Sequence, residues 1–336
     1  MMSQNQILLG HGDGGRLTRK LIEELFATVF HNPELAPLAD SAIVKVKGKN
    51  LAFTTDSYVV KPVFFPGGDI GKLSVFGTAN DLAVMGARPV YLSAGFILEE
   101  GLEMDVLKKI VASMKSAADH VGVKLVTGDT KVVERGAVDG IFINTAGIGE
   151  IMPWRSMGRQ IKPGDEILLS GAIGDHGIAI LCARGDLKFS LPVKSDCSPV
   201  WGLVKALYQA GIKVKWMRDP TRGGVASALN ELAGDSEFGV RIFEDKIPVH
   251  QAVESACEVL GLDPLYLANE GKVICVLEKG QGERARKIVR KFREGKEAEI
   301  VGEVIAEPKG KVITKTTIGG SRVLSMLAGA PLPRIC

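Results

Sequence analysis

The chain has 336 residues, 46% hydrophobic and 24% charged, with a net charge of +3. That length supports two domains with cores of their own, and the composition is that of an ordinary globular protein. Acidic and basic residues are interleaved, residues 1–6 have no basic run, and no long apolar stretch follows, so no nucleic-acid partner, signal peptide or membrane span is expected and the setting reads as cytoplasmic.

In chain order, His11-Gly12-Asp13-Gly14-Gly15-Arg16 is a glycine-rich loop leading into a helix over 17–30, where Leu17, Leu21, Leu25 and Val29 keep helical spacing. Residues 42–46 and 51–55 alternate like paired strands around Lys47-Gly48-Lys49-Asn50. Gly67-Gly68-Asp69 precedes a helix over 70–85, ended by Gly86 and Pro89. A strand over 91–98, a helix over 104–121 and strands over 124–127 and 141–148 complete an alternating half. Lys162-Pro163-Gly164-Asp165 marks the boundary. A strand over 166–170 opens the second half, and the glycine-rich run 171–177 opens its first helix. A helix over 200–210, a strand over 214–217, and a helix reaching 232 follow, with Arg218-Asp219-Pro220-Thr221-Arg222-Gly223-Gly224 between the last two. Strands over 240–243 and 273–277, helices over 249–260 and 283–294, and two late strands complete the half.

Both halves repeat a glycine-rich turn, a helix and a strand. This predicts an α/β (α+β) protein of two packed domains, 1–161 and 162–328, and a short tail, 329–336. The strands near 42–55 and 141–148 lack an obvious internal mate, so a second subunit is expected to complete a sheet.

The tail Pro331-Leu332-Pro333-Arg334-Ile335-Cys336 ends in a thiol, and its two prolines bar a helix interior. From Gly329 it reaches at most about 25 Å. It is either a frayed end or an exposed carrier thiol that collects a group outside and presents it inside. The other cysteines are Cys182, Cys197, Cys257 and Cys275; no CxxC occurs, which argues against zinc or a redox pair. Cys182 and Cys275 sit in apolar runs and are expected to be buried packing residues.

Acidic residues stand at element ends: Asp40 before a strand, Asp56, Asp129 and Asp219 after strands, and Asp81 with Asn80 in a helix. Carboxylates at strand ends converge on one rim of a sheet. Together they repel unless a hard cation joins them, and Mg²⁺ carrying nucleotide phosphates would do so. Taken singly, each is equally a turn or cap residue. Residues 12–15 and Gly223-Gly224 offer backbone N–H groups to phosphate, although neither a Walker A sequence nor a GxGxxG run is present. Lys131 and Glu270 are either a proton-moving pair in a pocket or a surface salt bridge. His11 and His176 lie in glycine-rich turns, where each contacts phosphate or caps its loop.

Six runs occur in a telling order: Thr54-Thr55-Asp56-Ser57-Tyr58, Phe64-Phe65-Pro66-Gly67-Gly68, Gly77-Thr78-Ala79-Asn80-Asp81-Leu82-Ala83, Gly128-Asp129-Thr130-Lys131-Val132-Val133, the 218–224 run, and the terminal 331–336. Over essentially the whole chain they resemble the HypE family of hydrogenase maturation proteins, the carbamoyl dehydratases. That family is similar to the aminoimidazole ribonucleotide synthetase, selenophosphate synthetase and thiamine-phosphate kinase superfamily. The resemblance implies a two-domain PurM-like fold, an N-terminal domain dimerising through its sheet, a C-terminal domain over an ATP cleft, and a flexible tail. It implies ATP and Mg²⁺ as cofactors, with His11, Gly14, Gly15, Asp40, Asp56, Asn80, Asp81, Asp129, Thr130, Asp219 and Arg222 at the nucleotide and Asp40, Asp56, Asp81 and Asp219 at the metal. Cys336, Lys131 and Glu270 are implied to be catalytic.

The same resemblance implies that HypF loads a carbamoyl group onto Cys336, that ATP drives dehydration of the S-carboxamide to an S-cyanate, and that cyanide passes to iron on a HypC–HypD complex for [NiFe] hydrogenase. The terminal carboxylate disfavours the Cys336 thiolate, and Arg334 is expected to offset it. Two rivals remain: another ATP-using member of the superfamily, which needs no terminal cysteine, and a non-enzymatic carrier, which needs no clustered carboxylates.

Overall fold

The structure, a computed structural model, describes residues 7, 11, 14–30, 32–153, 160–185, 191–327 and 334–336. In the first half, α1 (Arg16–Leu21) continues through a π-helical stretch (Ile22–Phe26) into α2 (Ala27–Val29). Then come β1 (Ala42–Val46), β2 (Lys49–Tyr58), the short β3 (Phe64–Phe65) and β4 (Gly68–Asp69), α3 (Ile70–Val84), β5 (Ala87–Glu99), α4 (Met104–Val121), β6 (Lys124–Val133) and β7 (Ile141–Ile151). Five strands form one sheet in the order β1-β2-β7-β5-β6. Only β5 and β6 run parallel, because the amphipathic helix α4 crosses between them.

In the second half, β8 (Glu166–Leu169), α5 (Asp175–Arg184), α6 (Trp201–Gln209), β9 (Val214–Arg218), α7 (Gly224–Ala233), β10 (Gly239–Phe243), α8 (Gln251–Leu260), β11 (Ile274–Leu277), α9 (Gly282–Val289), β12 (Glu299–Ile305), β13 (Val312–Lys315) and β14 (Ser321–Leu324) follow. Their sheet has the order β14-β13-β10-β12-β8-β11-β9. Three late strands, not two, close the chain. No described helix is long and apolar enough to cross a membrane.

Helix α3 positions the site. Its residues are buried almost all round, so it runs between the first sheet and the second half instead of lying on a surface. Asp69 caps it, accepting from Lys72 N–H at 3.0 Å. Gly77 lets β2 approach: a Cβ there would stand 2.3 Å from the Tyr58 hydroxyl. Tyr58, Thr78 and Thr145 then bond through their hydroxyls at 3.2 and 2.5 Å, joining β2, α3 and β7. At the far end, Asn80 stitches the halves together: its amide donates to the Ser198 carbonyl at 3.1 Å and accepts from Val200 N–H at 2.9 Å.

Several strands run further than the sequence suggests, and two of these extensions take in candidate residues. Asp56 lies within β2 and Asp129 within β6, not after them. Gly128 allows the extension, since a Cβ there would lie 2.5 Å from the Ala94 carbonyl on the neighbouring strand. The sheet face away from α3 is left open by the described residues: Phe53, Ile148 and Tyr91, which pair in one row across β2, β7 and β5, are 44%, 38% and 46% exposed.

Candidate active site

Three carboxylates meet where β2, α3 and the end of β9 converge. Asp40 precedes β1, Asp81 projects from α3 and Asp219 follows β9; one oxygen of each lies within 4.8 Å of the others. Thr54 fixes the arrangement, its hydroxyl lying 2.8 Å from both the Asp40 carbonyl and Asp81 Oδ2. Arg218 reaches Asp40 at 3.0 Å and Glu231 at 2.9 Å. Burial pushes the Asp40 carboxyl up to about 6 despite Arg218, and burial with Asp40 nearby pushes Asp219 up to about 8. Asp81 is driven well above the carboxylate range by burial and then by Asp219, Asp40 and Asp56. Mutual repulsion among hard oxygen donors is relieved by a divalent cation, and this trio suits Mg²⁺.

Asp56 stands outside the trio. Its Oδ1 accepts from Ser57 N–H and lies 3.5 Å from the Arg222 guanidinium. Glu270 is 3% exposed, and its Oε1 has no hydrogen-bond partner among the described residues. Burial, then Asp196, Asp219 and Asp56, push its carboxyl well up, against the pull of Arg222. An orphaned buried carboxyl oxygen is expensive unless a ligand satisfies it. The backbone is held firmly there: Glu270 N–H donates to Asp196 Oδ1, and the Asn269 side chain bridges Gly174 N–H, the Pro220 carbonyl and the Leu267 carbonyl.

The described end of the tail, residues 334–336, packs on its own protomer. Ile335 and Cys336 are 5% and 7% exposed and join a core cluster with Tyr58, Val60 and Phe65 of the first half and Ile180 of the second. Cys336 is therefore buried, not exposed as its terminal position suggests. Burial and the carboxylates of Glu270, Asp56 and Asp219 push its thiol up, while Arg222 pulls it down. Arg334, expected to favour the thiolate, is committed elsewhere: it bonds the Val59 carbonyl at 3.0 Å and Asp139 at 2.8 Å, and lies over the Phe142 ring. Burying Ile335 contributes about 2 kcal/mol and each hydrogen bond about 1 kcal/mol. Ordering three residues, one of them an arginine, costs about 6 kcal/mol. Gain and cost nearly cancel.

The remaining sequence candidates divide. Gly14 packs on the Arg222 loop, where a Cβ would come within 2.9 Å of the Arg222 carbonyl; its φ of +75° is the left-handed region that glycine tolerates. Gly15 caps α1 and His11 is partly exposed; Gly12 and Asp13 lie outside the described residues. The Asn80 amide joins the halves. Lys131 and Asp129 pair with each other at 3.3 Å, each with a side chain 71% exposed on the edge strand β6. Register explains why Lys131 does not meet Glu270 in the protomer. Asp129 pairs with Gly95, Gly95 with Asn144 and Asn144 with Ser57, so Asp129 and Lys131 face away from Asp56. Three strand spacings, about 14 Å, also separate β6 from β2. Thr130 points to the other side but is likewise exposed. Asp139 lay outside the sequence candidates, and Thr54 and Arg218 were not assigned a role. Thr54 lay within a quoted run, but only tertiary contact shows that it touches two of the aspartates.

Family models for the N-terminal and C-terminal domains of AIR synthase related proteins match residues 38–151 and 162–315. Carbamoyl dehydratase HypE of Rhodobacter capsulatus is 48% identical, with 100% of this chain and 99% of the relative covered. The Escherichia coli K12 protein of the same name is 46% identical, over 99% and 100%. A crystal structure of HypE in complex with ATP is 48% identical, covering 98% of this chain and 100% of that one, with a TM-score of 0.80. A HypE–HypF complex contains a chain 49% identical, covering 91% and 99%, with a TM-score of 0.86. A thiamine monophosphate kinase from Aquifex aeolicus, 18% identical over 89% and 97% with a TM-score of 0.65, shares the fold.

Proposed function

This chain belongs to the HypE family of carbamoyl dehydratases, and we propose that it uses ATP to convert a carboxamide on the sulfur of Cys336 into a cyanate. The observation that carries the reading is the buried end of the tail: a C-terminal thiol lies inside its own protomer, within electrostatic reach of Arg222, of the orphaned Glu270 and of Asp219, one of a carboxylate trio suited to Mg²⁺. A relative crystallised with ATP supports the nucleotide.

The chemistry suits these groups. The amide oxygen leaves badly as hydroxide and well as phosphate. Its phosphorylation by ATP, loss of phosphate and removal of two protons from nitrogen convert S–C(=O)NH₂ to S–C≡N, with ADP and phosphate as the other products. Asp40, Asp81 and Asp219 would hold Mg²⁺, which neutralises phosphate charge when bound. Asp56 pairs with Arg222, whose charge favours the thiolate of Cys336. Glu270, once ionised, is placed to accept a proton from nitrogen. Burial of the tail excludes the water that would hydrolyse the activated amide.

Lys131, with Asp129 and Thr130, enters this scheme through a second copy of the chain. We infer a homodimer in which the uncovered face bearing Phe53, Tyr91 and Ile148 is buried and β6 of one protomer reaches the nucleotide of the other. The relative seen with HypF supports HypF as the carbamoyl donor, and we infer a HypC–HypD complex as the acceptor of the cyanide. The five unpaired cysteines suit a reducing compartment, and we place the reaction in the cytoplasm. The domain limits that we assign are 1–161 and 162–328, with the tail at 329–336.

Intact mass tests the reading. With HypF and its substrates the protein gains one carbamoyl group, and on adding ATP it loses the mass of one water. Cys336→Ser should do neither while still folding. If the serine variant shows both steps, the tail is not the carrier.

A further inference from the structure

The tail's end is held through its main chain, one oxygen at a time. The Arg184 guanidinium donates to the Arg334 carbonyl, His176 Nε2 lies 2.9 Å from the Ile335 carbonyl, and Val59 N–H donates to a terminal carboxylate oxygen of Cys336 at 3.0 Å. His176 is the central contact of the three and is fully buried, at 0% exposure. It stands on α5, opened by the glycine-rich run 171–177, and touches the tail instead of a phosphate.

The hydrogen-bond chain behind it is directional. A carbonyl only accepts, so Nε2 carries the proton. Burial pushes the imidazole down and keeps it neutral, which leaves Nδ1 as an acceptor. Nδ1 lies 2.8 Å from Ser195 Oγ, which itself accepts from Cys197 N–H at 3.0 Å. The serine proton is thereby directed at Nδ1. Ser195 is anchored in turn: its N–H donates to the Pro66 carbonyl at 2.8 Å, and a Cβ on Gly67 would lie 2.5 Å from its carbonyl. The Phe65 ring closes one side of the imidazole, edge to face, with centroids 5.6 Å apart.

We propose that His176 is a positioning residue for the dehydration step: braced by Ser195, its Nε2–H grips the Ile335 carbonyl and sets the register in which the next residue's sulfur meets Arg222 and Glu270. This rests on Cys336 being the carrier. Loading takes place with the tail outside and does not use the contact; dehydration takes place with the tail inside and does. A change at His176 therefore separates the two half-reactions, which a general loss of structure would not.

His176→Leu removes the donor at similar volume. His176→Gln returns an N–H at about the reach of Nε2. Ser195→Ala removes the group that sets the tautomer. In the full-length protein, His176→Leu should be loaded by HypF within about twofold of the wild-type rate and bind ATP normally, but lose water roughly tenfold more slowly. Without nucleotide, its Cys336 should react with iodoacetamide roughly tenfold faster, since the docked tail shields the thiol. His176→Gln should recover most of both effects. The double variant His176→Leu with Ser195→Ala should be no worse than His176→Leu alone, because Ser195 acts through His176.

Wild-type dehydration and alkylation rates in a folded His176→Leu protein overturn the proposal. So does a parallel fall in loading and dehydration. If His176→Leu does not fold, as thermal melting would show, Ser195→Ala is judged on the same criteria. If wild-type protein never gains a carbamoyl group on Cys336, the proposed function fails, and the alkylation rates still decide whether His176 holds the tail.

Discussion

Arg334 and Asp139 join the tail to the first domain 2.8 Å apart, and Lys61 reaches the same carboxylate oxygen at 2.5 Å. Bonds from Lys61 and then Arg334 hold the Asp139 carboxyl below its usual range. Because Asp139 is about half exposed, the pair is screened by solvent and contributes modestly. Asp139→Asn should therefore speed alkylation of Cys336 roughly twofold to fivefold, leaving the melting temperature unchanged. An unchanged alkylation rate would mean that the ion pair does not hold the tail.

The carboxylate trio predicts an inverted pH dependence in metal-free protein. Folded Asp40 and Asp219 titrate near about 6 and about 8, against about 3.9 for an unfolded aspartate. The folded chain thus binds more protons than the unfolded chain between those limits, and stability falls as pH rises. Without nucleotide and with chelator, the protein should melt higher at pH 5.5 than at pH 8, and Mg²⁺–ATP should shrink the difference. Asp81→Asn should flatten the profile and abolish ATP turnover. A melting temperature that rises from pH 5.5 to pH 8 would contradict the arrangement.

Glu270→Gln keeps the buried shape and removes the proton acceptor. Nucleotide binding and carbamoyl loading should persist, while loss of water slows by roughly 100-fold, a typical effect for a general base. Dehydration at the wild-type rate would leave Glu270 with a packing role only.

The uncovered sheet face carries Ile148 at the centre of its apolar row, between Phe53 and Tyr91. Ile148→Asp places charge in the proposed dimer contact. Sedimentation at micromolar concentration should change from dimer to monomer, and dehydration should fall with it because Lys131 no longer reaches a neighbouring site. A wild-type protein that sediments as a monomer would remove the basis for this assignment.

Much of this protein was legible in its residue order. Helix 104–121 appears with the bounds that its periodicity predicts, and the hairpin around residues 47–48 pairs as its alternation suggests, because these patterns are local. The ordered runs that resemble HypE, ending in Cys336, point to the family that the comparisons show, since catalytic groups tolerate few substitutes in type or spacing. Tertiary structure decided which of these residues meet. Strand register turned Lys131 and Asp129 to the face away from Asp56, and a one-residue difference in pairing would have reversed that. Packing between the halves took up Asn80 and left Glu270 with an orphaned oxygen. The tail carries no pattern that says where it goes; its end meets His176, Arg184 and Val59, each more than 140 residues away in sequence, through main-chain oxygens that carry no side-chain signature. Side-chain type sets the chemistry available along the chain, and only non-local pairing brings those groups within reach of one another.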